Sequence, residues 1–155
     1  MISKESKHFT DTIFYQIELT ARYSKMLGTQ LFGNLGIDLS VSEFSALDMI
    51  WANDSLCQRD LAKLLLIDRA NTGKLLDSLE QKSLIKRELS IKNNRPVKII
   101  KITEKGSKTY VEIYQRLAPH HKAVEEKIAN TDLAKVGELL RELRKILEDT
   151  IDIDI

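Results

Sequence analysis

The sequence predicts a mainly α-helical fold with a small β-hairpin, arranged as a winged helix-turn-helix between N- and C-terminal helices. Three observations predict it. Apolar residues recur at helical spacing over most of the 155 residues, and the pattern changes to β-branched strand-like runs only between about residues 84 and 103. Only two prolines and six glycines interrupt the chain, so long regular elements are expected.

The first two helices are predicted from apolar spacing and end signals. Residues 8 to about 33 carry an apolar stripe that includes Ile13, Ile17 and Leu27, and Gly33 and Gly36 are expected to end the helix. The stretch "LSVSEFSALDMIWA" then places Ser40 three residues before Glu43. This spacing is typical of a capping box, so a second helix begins there.

The next two helices have the arrangement of a helix-turn-helix. "CQRDLAKLLL", residues 57–66, predicts a short helix with Leu61, Leu64 and Leu65 facing inward. A second helix, residues 68–82, follows after a tight turn, with Asp68 as its N-cap. Its first two turns are polar, and the second helix of such a motif offers its N-terminal side chains to the major groove of DNA.

A β-hairpin is predicted after this second helix. "LIKRELSIK" and "VKIIKIT" are rich in β-branched residues, and the turn "NNRP" joins them. Between residues 82 and 105 the chain has 8 basic and 2 acidic residues, although its whole net charge is only +1. A local basic patch is an electrostatic footprint for an anion, most often nucleic acid. The alternative is a solvated basic surface.

Two further amphipathic helices close the chain. One is capped by Thr103 and is expected to kink or be interrupted at Pro119, and the last begins near Thr131. Both end regions are too apolar along one side to stand alone in water. They are predicted to bury these stripes against a second copy of the chain, with packing inside one chain as the alternative.

The ordered set "LSVSEFSALDMI", "CQRDLAKLL", "LLDSLEQKSLIKR" and "KITEKG" resembles the multiple-antibiotic-resistance-regulator (MarR) family over residues 39–106. The resemblance implies a homodimeric winged-helix transcription regulator, often responsive to a small molecule or an oxidant. It divides the chain into a winged helix-turn-helix at 37–105 and a helical dimerisation region at 1–36 and 106–155. The family usually has glycine at Ser83 and a carboxylate at Asn93 of the wing, residues 90–98.

Ten residues are predicted to contact DNA. Side chains of the recognition helix, residues 68–82, would meet the major groove, and Arg95 with its neighbours would enter the minor groove, which attracts arginine where it is narrow. Lys92 and Lys98 would lie along the phosphates, and Gln58 would contact one. The alternative is an ordinary polar surface. The ten residues are Gln58, Arg69, Asn71, Thr72, Lys74, Lys92, Asn93, Asn94, Arg95 and Lys98.

Other candidate sites are weaker. Cys57 is the only cysteine, so no internal disulfide forms, and its expected N-cap position favours a reactive thiolate, which makes it a redox candidate; a structural cysteine is the alternative. His120, His121 and Glu125 do not have metal-ligand spacing, and no metal or cofactor is expected. An effector site is not identified, because the aromatic residues Tyr15, Phe44, Trp51, Tyr110 and Tyr114 are expected mostly in the core.

The function predicted is that of a sequence-specific DNA-binding regulator, a repressor acting at a pseudo-palindromic operator. The alternative is a winged-helix module for protein interactions without specific DNA binding. An enzyme is not expected, since no phosphate loop, paired-carboxylate or nucleophile–base motif is present. No run approaches the roughly 18 to 20 apolar residues of a membrane span, and the N-terminus lacks an apolar signal core, so a cytoplasmic location is expected.

Overall fold

The computed structural model describes residues 8–92, 94–127 and 133–151, without the side chains of residues 133 and 134. The elements in chain order are a 3-10 turn Phe9–Asp11, helices α1 Ile13–Asn34, α2 Val41–Ala52, α3 Gln58–Leu65 and α4 Arg69–Gln81, strands β1 Ile85–Lys92 and β2 Arg95–Ile102, and helices α5 Glu104–Lys127 and α6 Leu133–Thr150. The predicted mainly α-helical fold with one hairpin is confirmed. The chain divides into two compact units, Met1–Phe44 and Ser45–Ile155, and α2 begins in the first and ends in the second.

The predicted helix starts are present as hydrogen bonds. Before α2, the Ser40 N–H donates to Glu43 Oε2 at 2.6 Å and the Glu43 N–H donates to Ser40 Oγ at 3.1 Å. At α4 the Asp68 carboxylate accepts from the Asn71 N–H at 2.8 Å. These bonds satisfy N–H groups that have no partner within the helix. Both caps were predicted from the sequence and are confirmed.

Three helices end with a residue in the left-handed conformation. Gly36 (φ 61°) follows α1, Leu66 (φ 52°) follows α3 and Ser83 (φ 61°) follows α4. Gly33, which was also expected to end α1, lies inside that helix. In each case the next N–H donates to the carbonyl five residues earlier: Ile37 to Phe32 at 2.9 Å, Ile67 to Ala62 at 3.2 Å and Leu84 to Leu79 at 2.9 Å. This is the Schellman motif, in which glycine is preferred because it has no Cβ. Two of these three turns, among the described residues, are therefore made by a residue with a Cβ, whose backbone is strained there.

Ser83→Gly is expected to stabilise the fold. The left-handed conformation costs a residue with a Cβ roughly 1–2 kcal/mol, and part of this gain is offset by the greater freedom of glycine in the unfolded chain. The net gain should be about 0.5–1 kcal/mol, which raises the Tm by about 2 °C in thermal unfolding followed by circular dichroism. Ser42→Gly, on an exposed helical position of α2 without positive φ, is the control and should lower the Tm instead. A lower Tm in Ser83→Gly would show that the serine side chain is needed there.

The core of the second unit lies between the helix-turn-helix and the hairpin. Leu61 of α3 and Leu76 and Leu79 of α4 are fully buried, as are Ile85 and Ile100 of the hairpin. Their burial removes apolar surface from water and fixes α4 against α3.

The prediction that Leu64 of α3 faces inward is wrong. Leu64 was expected to face inward, but its side chain is 50% exposed. Only Leu61 of the three predicted leucines is fully buried, so the inward face of α3 is narrower than the run of leucines suggested.

The hairpin is regular and its turn has two residues. Ile85 pairs with Ile102 at one end and Lys92 pairs with Arg95 at the other. Asn94 lies in the turn with φ 58°, as expected for a residue type that tolerates this conformation. The Ile100 N–H donates to the Leu56 carbonyl at 2.8 Å, so β2 is also joined to the segment that leads into α3.

The turn from β2 into α5 is tightly packed around Thr103 and Gly106. The Thr103 hydroxyl accepts from the Gly106 N–H at 2.9 Å and lies 2.8 Å from the Ser83 carbonyl, to which it donates. A Cβ on Gly106 would lie 2.0 Å from the Leu84 carbonyl oxygen. Thr103 was predicted as the cap and is confirmed. Glycine is needed at position 106 because of this close approach to Leu84, which the sequence does not indicate.

The predicted interruption at Pro119 is wrong. Helix α5 continues through Pro119 to Lys127. Proline removes one N–H donor, so one helical hydrogen bond is missing there, and a kink at Pro119, the other expected outcome, stays a prediction. The predicted start of the last helix near Thr131 lies outside the described residues, and α6 is described from Leu133.

Candidate nucleic-acid interface

The N-terminal half of α4 presents three exposed polar side chains. Arg69, Asn71 and Lys74 are all exposed. Asp68 binds Asn71 twice, from its N–H at 2.8 Å and from Nδ2 at 2.6 Å, and these bonds, led by that of the backbone, lower the pKa of the Asp68 carboxyl. The cap thus holds Asn71 in a fixed orientation while Arg69 and Lys74 project beside it.

Thr72 does not belong to this surface. Its side chain is 0% exposed, and its hydroxyl donates to the Asp68 carbonyl at 2.8 Å. It lies four residues before Leu76 and seven before Leu79, which places all three on one helix face. The prediction that Thr72 contacts DNA is therefore wrong in this conformation, because the residue is part of the core of α4.

Gln58 connects α3 to the recognition helix. It is the first residue of α3, and its Nε2 donates to the Arg69 carbonyl oxygen at 2.9 Å. The same Nε2 lies 3.2 Å from the position that a Cβ on Gly73 would occupy. The side chain predicted to contact a phosphate thus uses one amide N–H within the protein, and its second N–H is the donor left for a phosphate.

The wing is tied to α3 by an ion pair. Lys92 Nζ donates to Asp60 Oδ2 at 2.9 Å, and the Cys57 N–H donates to the same oxygen at 3.1 Å. Burial raises the pKa of Asp60, but the hydrogen bonds from Lys92 and Cys57 outweigh it and lower this pKa to about 2. Lys92 therefore has an acidic partner that was not expected, and a phosphate near it would have to compete with Asp60.

The tip of the wing carries the exposed cations. Asn94, Arg95 and Lys98 are exposed, and across the described ranges of the chain the side chains of Arg95 and Lys98 have no hydrogen bond or ion pair. Asn93 lies outside the described residues. Because Lys92 pairs with Arg95 across the turn, both side chains project from the same side of the hairpin.

A cleft of about 480 Å³ separates the base of α3 from the wing. Its lining residues are Cys57, Arg59, Asp60, Lys92, Arg95 and Val97. Cys57 is the N-cap of α3, as predicted, and is half-buried. Arg59 is exposed here and was not among the predicted contacts. Three cations face one carboxylate in this cleft, so its charge favours an anion.

Arg87 of β1 joins the hairpin to the recognition helix, and no sequence signal indicated this contact. Its Nη2 donates to Asp77 at 2.7 Å and to Glu80, and its Nε donates to Glu80 at 3.0 Å. The hydrogen bond from Arg87, with its positive charge, lowers the pKa of Glu80. Both acids lie on the second half of α4, so the fork of Arg87 holds α4 and β1 at a fixed distance.

The aromatic residues predicted for the core are only partly buried. Tyr110 is buried and stacks on Trp51 at 4.6 Å, with its hydroxyl donating to Asp48 at 2.7 Å. Burial, followed by the bond to Asp48, raises the pKa of Tyr110 to about 12. Trp51 and Tyr114 are 47% and 58% exposed, so their expected core position is wrong. In the first unit, Phe44 packs edge-on against Phe32.

Each unit also carries exposed apolar side chains on a helix. On α1 these are Ile13, Phe14, Tyr23, Met26 and Leu27, and on α6 they are Val136, Leu139, Leu140 and Ile146. Contiguous exposed apolar surface of this kind marks an interaction site in a folded protein.

The described residues offer neither a cluster of metal ligands nor a membrane-spanning helix. No group of three or more His, Cys, Asp or Glu side chains there could hold a metal ion. Among the helices described, none has the length and apolar character needed to cross a membrane.

Among known proteins, this chain is similar to several transcriptional regulators. The family model described as "MarR family" matches residues 39–97. The HTH-type transcriptional regulator FarR of Neisseria gonorrhoeae is 28% identical over 115 residues, which cover 74% of this chain and 77% of FarR. Among solved structures, the transcriptional regulator BldR from Sulfolobus solfataricus superposes with a TM-score of 0.70 at 28% identity, over 88% of this chain and 92% of BldR. The S. aureus MepR–DNA complex gives 0.69 at 22% identity, over 90% and 97%.

Proposed function

We propose that this chain, which the MarR family model matches over residues 39–97, is a transcription regulator of that family, that it binds duplex DNA as a homodimer, and that it acts as a repressor at a pseudo-palindromic operator. The recognition helix would lie in the major groove and the wing, residues 90–98, at the minor groove. MepR, whose fold this chain shares, was crystallised with DNA. A regulator of this kind works where the chromosome is, in the cytoplasm.

One observation carries the proposal. Arg87 ties β1 to Asp77 and Glu80 of α4, so the exposed Asn71 and Lys74 are held at a fixed distance from the exposed Arg95 and Lys98. Two adjacent DNA grooves require two polar elements held in fixed relation. The second candidate function, a protein-interaction module, has no such requirement for cations at the wing tip.

Dimerisation is proposed from the exposed apolar helices. The side chains of α1 and α6 that are exposed in one chain would be covered by the same helices of a second copy. Two recognition helices would then lie about one DNA turn, roughly 34 Å, apart. Sedimentation velocity should give a dimer for the unchanged protein, and Leu139→Glu should shift it towards the monomer.

The test of the proposed function begins with selection of bound sequences from random duplex DNA. We expect an inverted repeat to be enriched, with half-sites centred about 10 base pairs apart. The selected duplex should bind at least about 1,000-fold more tightly than a scrambled duplex of the same composition. Equal affinity for both duplexes would favour the protein-interaction module. A reporter placed behind the selected sequence should be silenced by the protein if it represses.

Arg95→Ala is expected to weaken binding to the selected duplex about tenfold. The side chain is exposed and has no partner in the ranges the structure describes, so the full loss falls on the DNA contact. Arg95→Lys keeps the charge and should recover only part of the affinity, because lysine does not have the planar fork of arginine. Unchanged affinity of Arg95→Ala in a gel-shift titration would remove the wing from the interface.

Release by an effector is the remaining part of the proposal. A small molecule or an oxidant would shift the population towards a conformation that does not fit the operator. For an oxidant, Cys57 is the candidate, because it caps α3 and its N–H binds the same carboxylate as Lys92 of the wing. Retained peroxide sensitivity of DNA binding in Cys57→Ser would exclude that residue as the sensor.

A further inference from the structure

We infer that Gln58 is a positioning residue that sets how the recognition helix lies against α3, and that Gly73 is small because the Gln58 side chain passes over it. The inference rests on the proposed function, since its consequence is the fit of α4 to a DNA sequence. It assigns Gln58 a role different from the phosphate contact predicted from its place in the sequence.

The contact involves the side-chain amide of Gln58 and the small residue Gly73. Gln58 Nε2 donates to the Arg69 carbonyl at 2.9 Å, from the first residue of α3 to the first residue of α4. In a regular α-helix that carbonyl also accepts from the N–H of residue 73, four positions on. Gly73 therefore lies directly beside the contact, and a Cβ there would come within 3.2 Å of the Gln58 nitrogen.

A directional contact is needed at this place because the rest of the α3–α4 packing is aliphatic. Leu61 and Leu76 are fully buried between these elements, and aliphatic side chains permit small rotations at little cost. A hydrogen bond to a backbone carbonyl has a preferred distance and angle, so it fixes α4 about its own axis. The rotation of α4 decides where Asn71 and Lys74 point, because they are three positions apart and share an exposed face of the helix, turned away from the buried Thr72.

The two roles of Gln58 predict different losses. A neutral side chain that binds a phosphate contributes alike to every duplex, since phosphates carry no sequence information. A residue that orients Asn71 and Lys74 contributes only where those side chains meet the correct bases. The ratio of affinities for the selected and scrambled duplexes therefore separates the roles.

The experiment uses the full chain with Gln58→Ala, Gly73→Ala and the double variant, measured by fluorescence anisotropy on both duplexes. Gln58→Ala should weaken binding to the selected duplex about fivefold to tenfold and leave the scrambled duplex unchanged. Gly73→Ala should weaken it in the same direction by displacing the Gln58 amide. The double variant should bind no more weakly than the weaker single variant. Gln115→Ala, on an exposed position of α5, is the matched control.

Thermal unfolding of the same proteins tests the contact without DNA. Alanine is a better helix former than glycine, so Gly73→Ala should raise the Tm by about 3 °C in the Gln58→Ala background. In the unchanged background the gain should be smaller, because the new Cβ crowds the Gln58 amide. An equal gain in both backgrounds would show that the contact does not constrain Gly73 and would overturn the inference.

The DNA results lead to separate conclusions. Equal losses on both duplexes in Gln58→Ala would overturn the positioning role in favour of a phosphate contact, and no loss on either would overturn both roles. If the unchanged protein itself does not prefer the selected duplex, the proposed function fails, and thermal unfolding alone then decides whether Gln58 positions α4 against α3. A Tm coupling retained in that case would show that the failure lies in the function and not in the Gln58 contact.

Discussion

Gly106→Ala will destabilise the protein by at least about 3 kcal/mol and lower its Tm by about 10 °C. The new Cβ would lie 2.0 Å from the Leu84 carbonyl oxygen, a backbone atom that also accepts from the Thr103 N–H at 3.0 Å. Backbone on both sides cannot move away as a flexible side chain could. The Leu84 carbonyl must shift by more than 1 Å, which disturbs both β1 and the start of α5.

The control for this variant is Gly33→Ala in α1, where the new Cβ has no atom within 4 Å beyond its chain neighbours and the adjacent helix backbone. That substitution should leave the Tm unchanged or raise it slightly, since alanine favours the helix. Urea denaturation should give the same order of stabilities. A Tm for Gly106→Ala within 2 °C of the unchanged protein would contradict the close approach of α5 to the end of α4.

Lys74→Glu will reduce affinity for the selected duplex by at least about 100-fold at 0.1 M salt, and it should leave the fold intact. Lys74 is exposed in the second turn of the recognition helix, so the substitution removes a cation and adds an anion where phosphates or base edges approach. In a dimer the change occurs twice. Electrophoretic mobility shift titrations measure the loss, and an unchanged Tm shows that it does not come from unfolding.

Lys127→Glu, an equal charge reversal at the exposed end of α5, is the matched control for Lys74→Glu. It alters the net charge by the same amount but lies far along the chain from the recognition helix and the wing. We expect less than a threefold loss from it. Similar losses in both variants would mean that only the total charge of the protein matters, and the recognition helix would have no particular role.

Local signals in the sequence predicted much of the fold. The caps at Ser40, Asp68 and Thr103 depend on residues three positions apart, and each is present as a hydrogen bond. The hairpin followed from β-branched runs around an Asn-Asn turn, and Asn94 has the positive φ expected there. Such features are decided within one or two turns of chain, where neither distant packing nor a partner is needed.

The errors and omissions have a different origin. Thr72 was assigned to the DNA surface because it is polar, although its spacing to Leu76 and Leu79 was a signal for burial. The contacts of Gln58 with Arg69 and of Lys92 with Asp60 join residues 11 and 32 positions apart. No periodicity encodes such pairs, because they depend on how α3, α4 and the wing pack together.

The salt dependence of DNA binding tests the central claim most directly. The Kd for the selected duplex and for its scrambled counterpart would be measured at several salt concentrations between about 0.05 and 0.3 M. The release of counterions from DNA changes the affinity strongly over this range. We predict a steep linear fall of log K with log salt. Lys74→Ala should make the slope shallower by about 2, one phosphate contact per subunit, if Lys74 binds a phosphate. The selected duplex should stay preferred throughout. Binding that does not change with salt, or that is equal for the two duplexes, would contradict a DNA-binding function for the recognition helix and the wing.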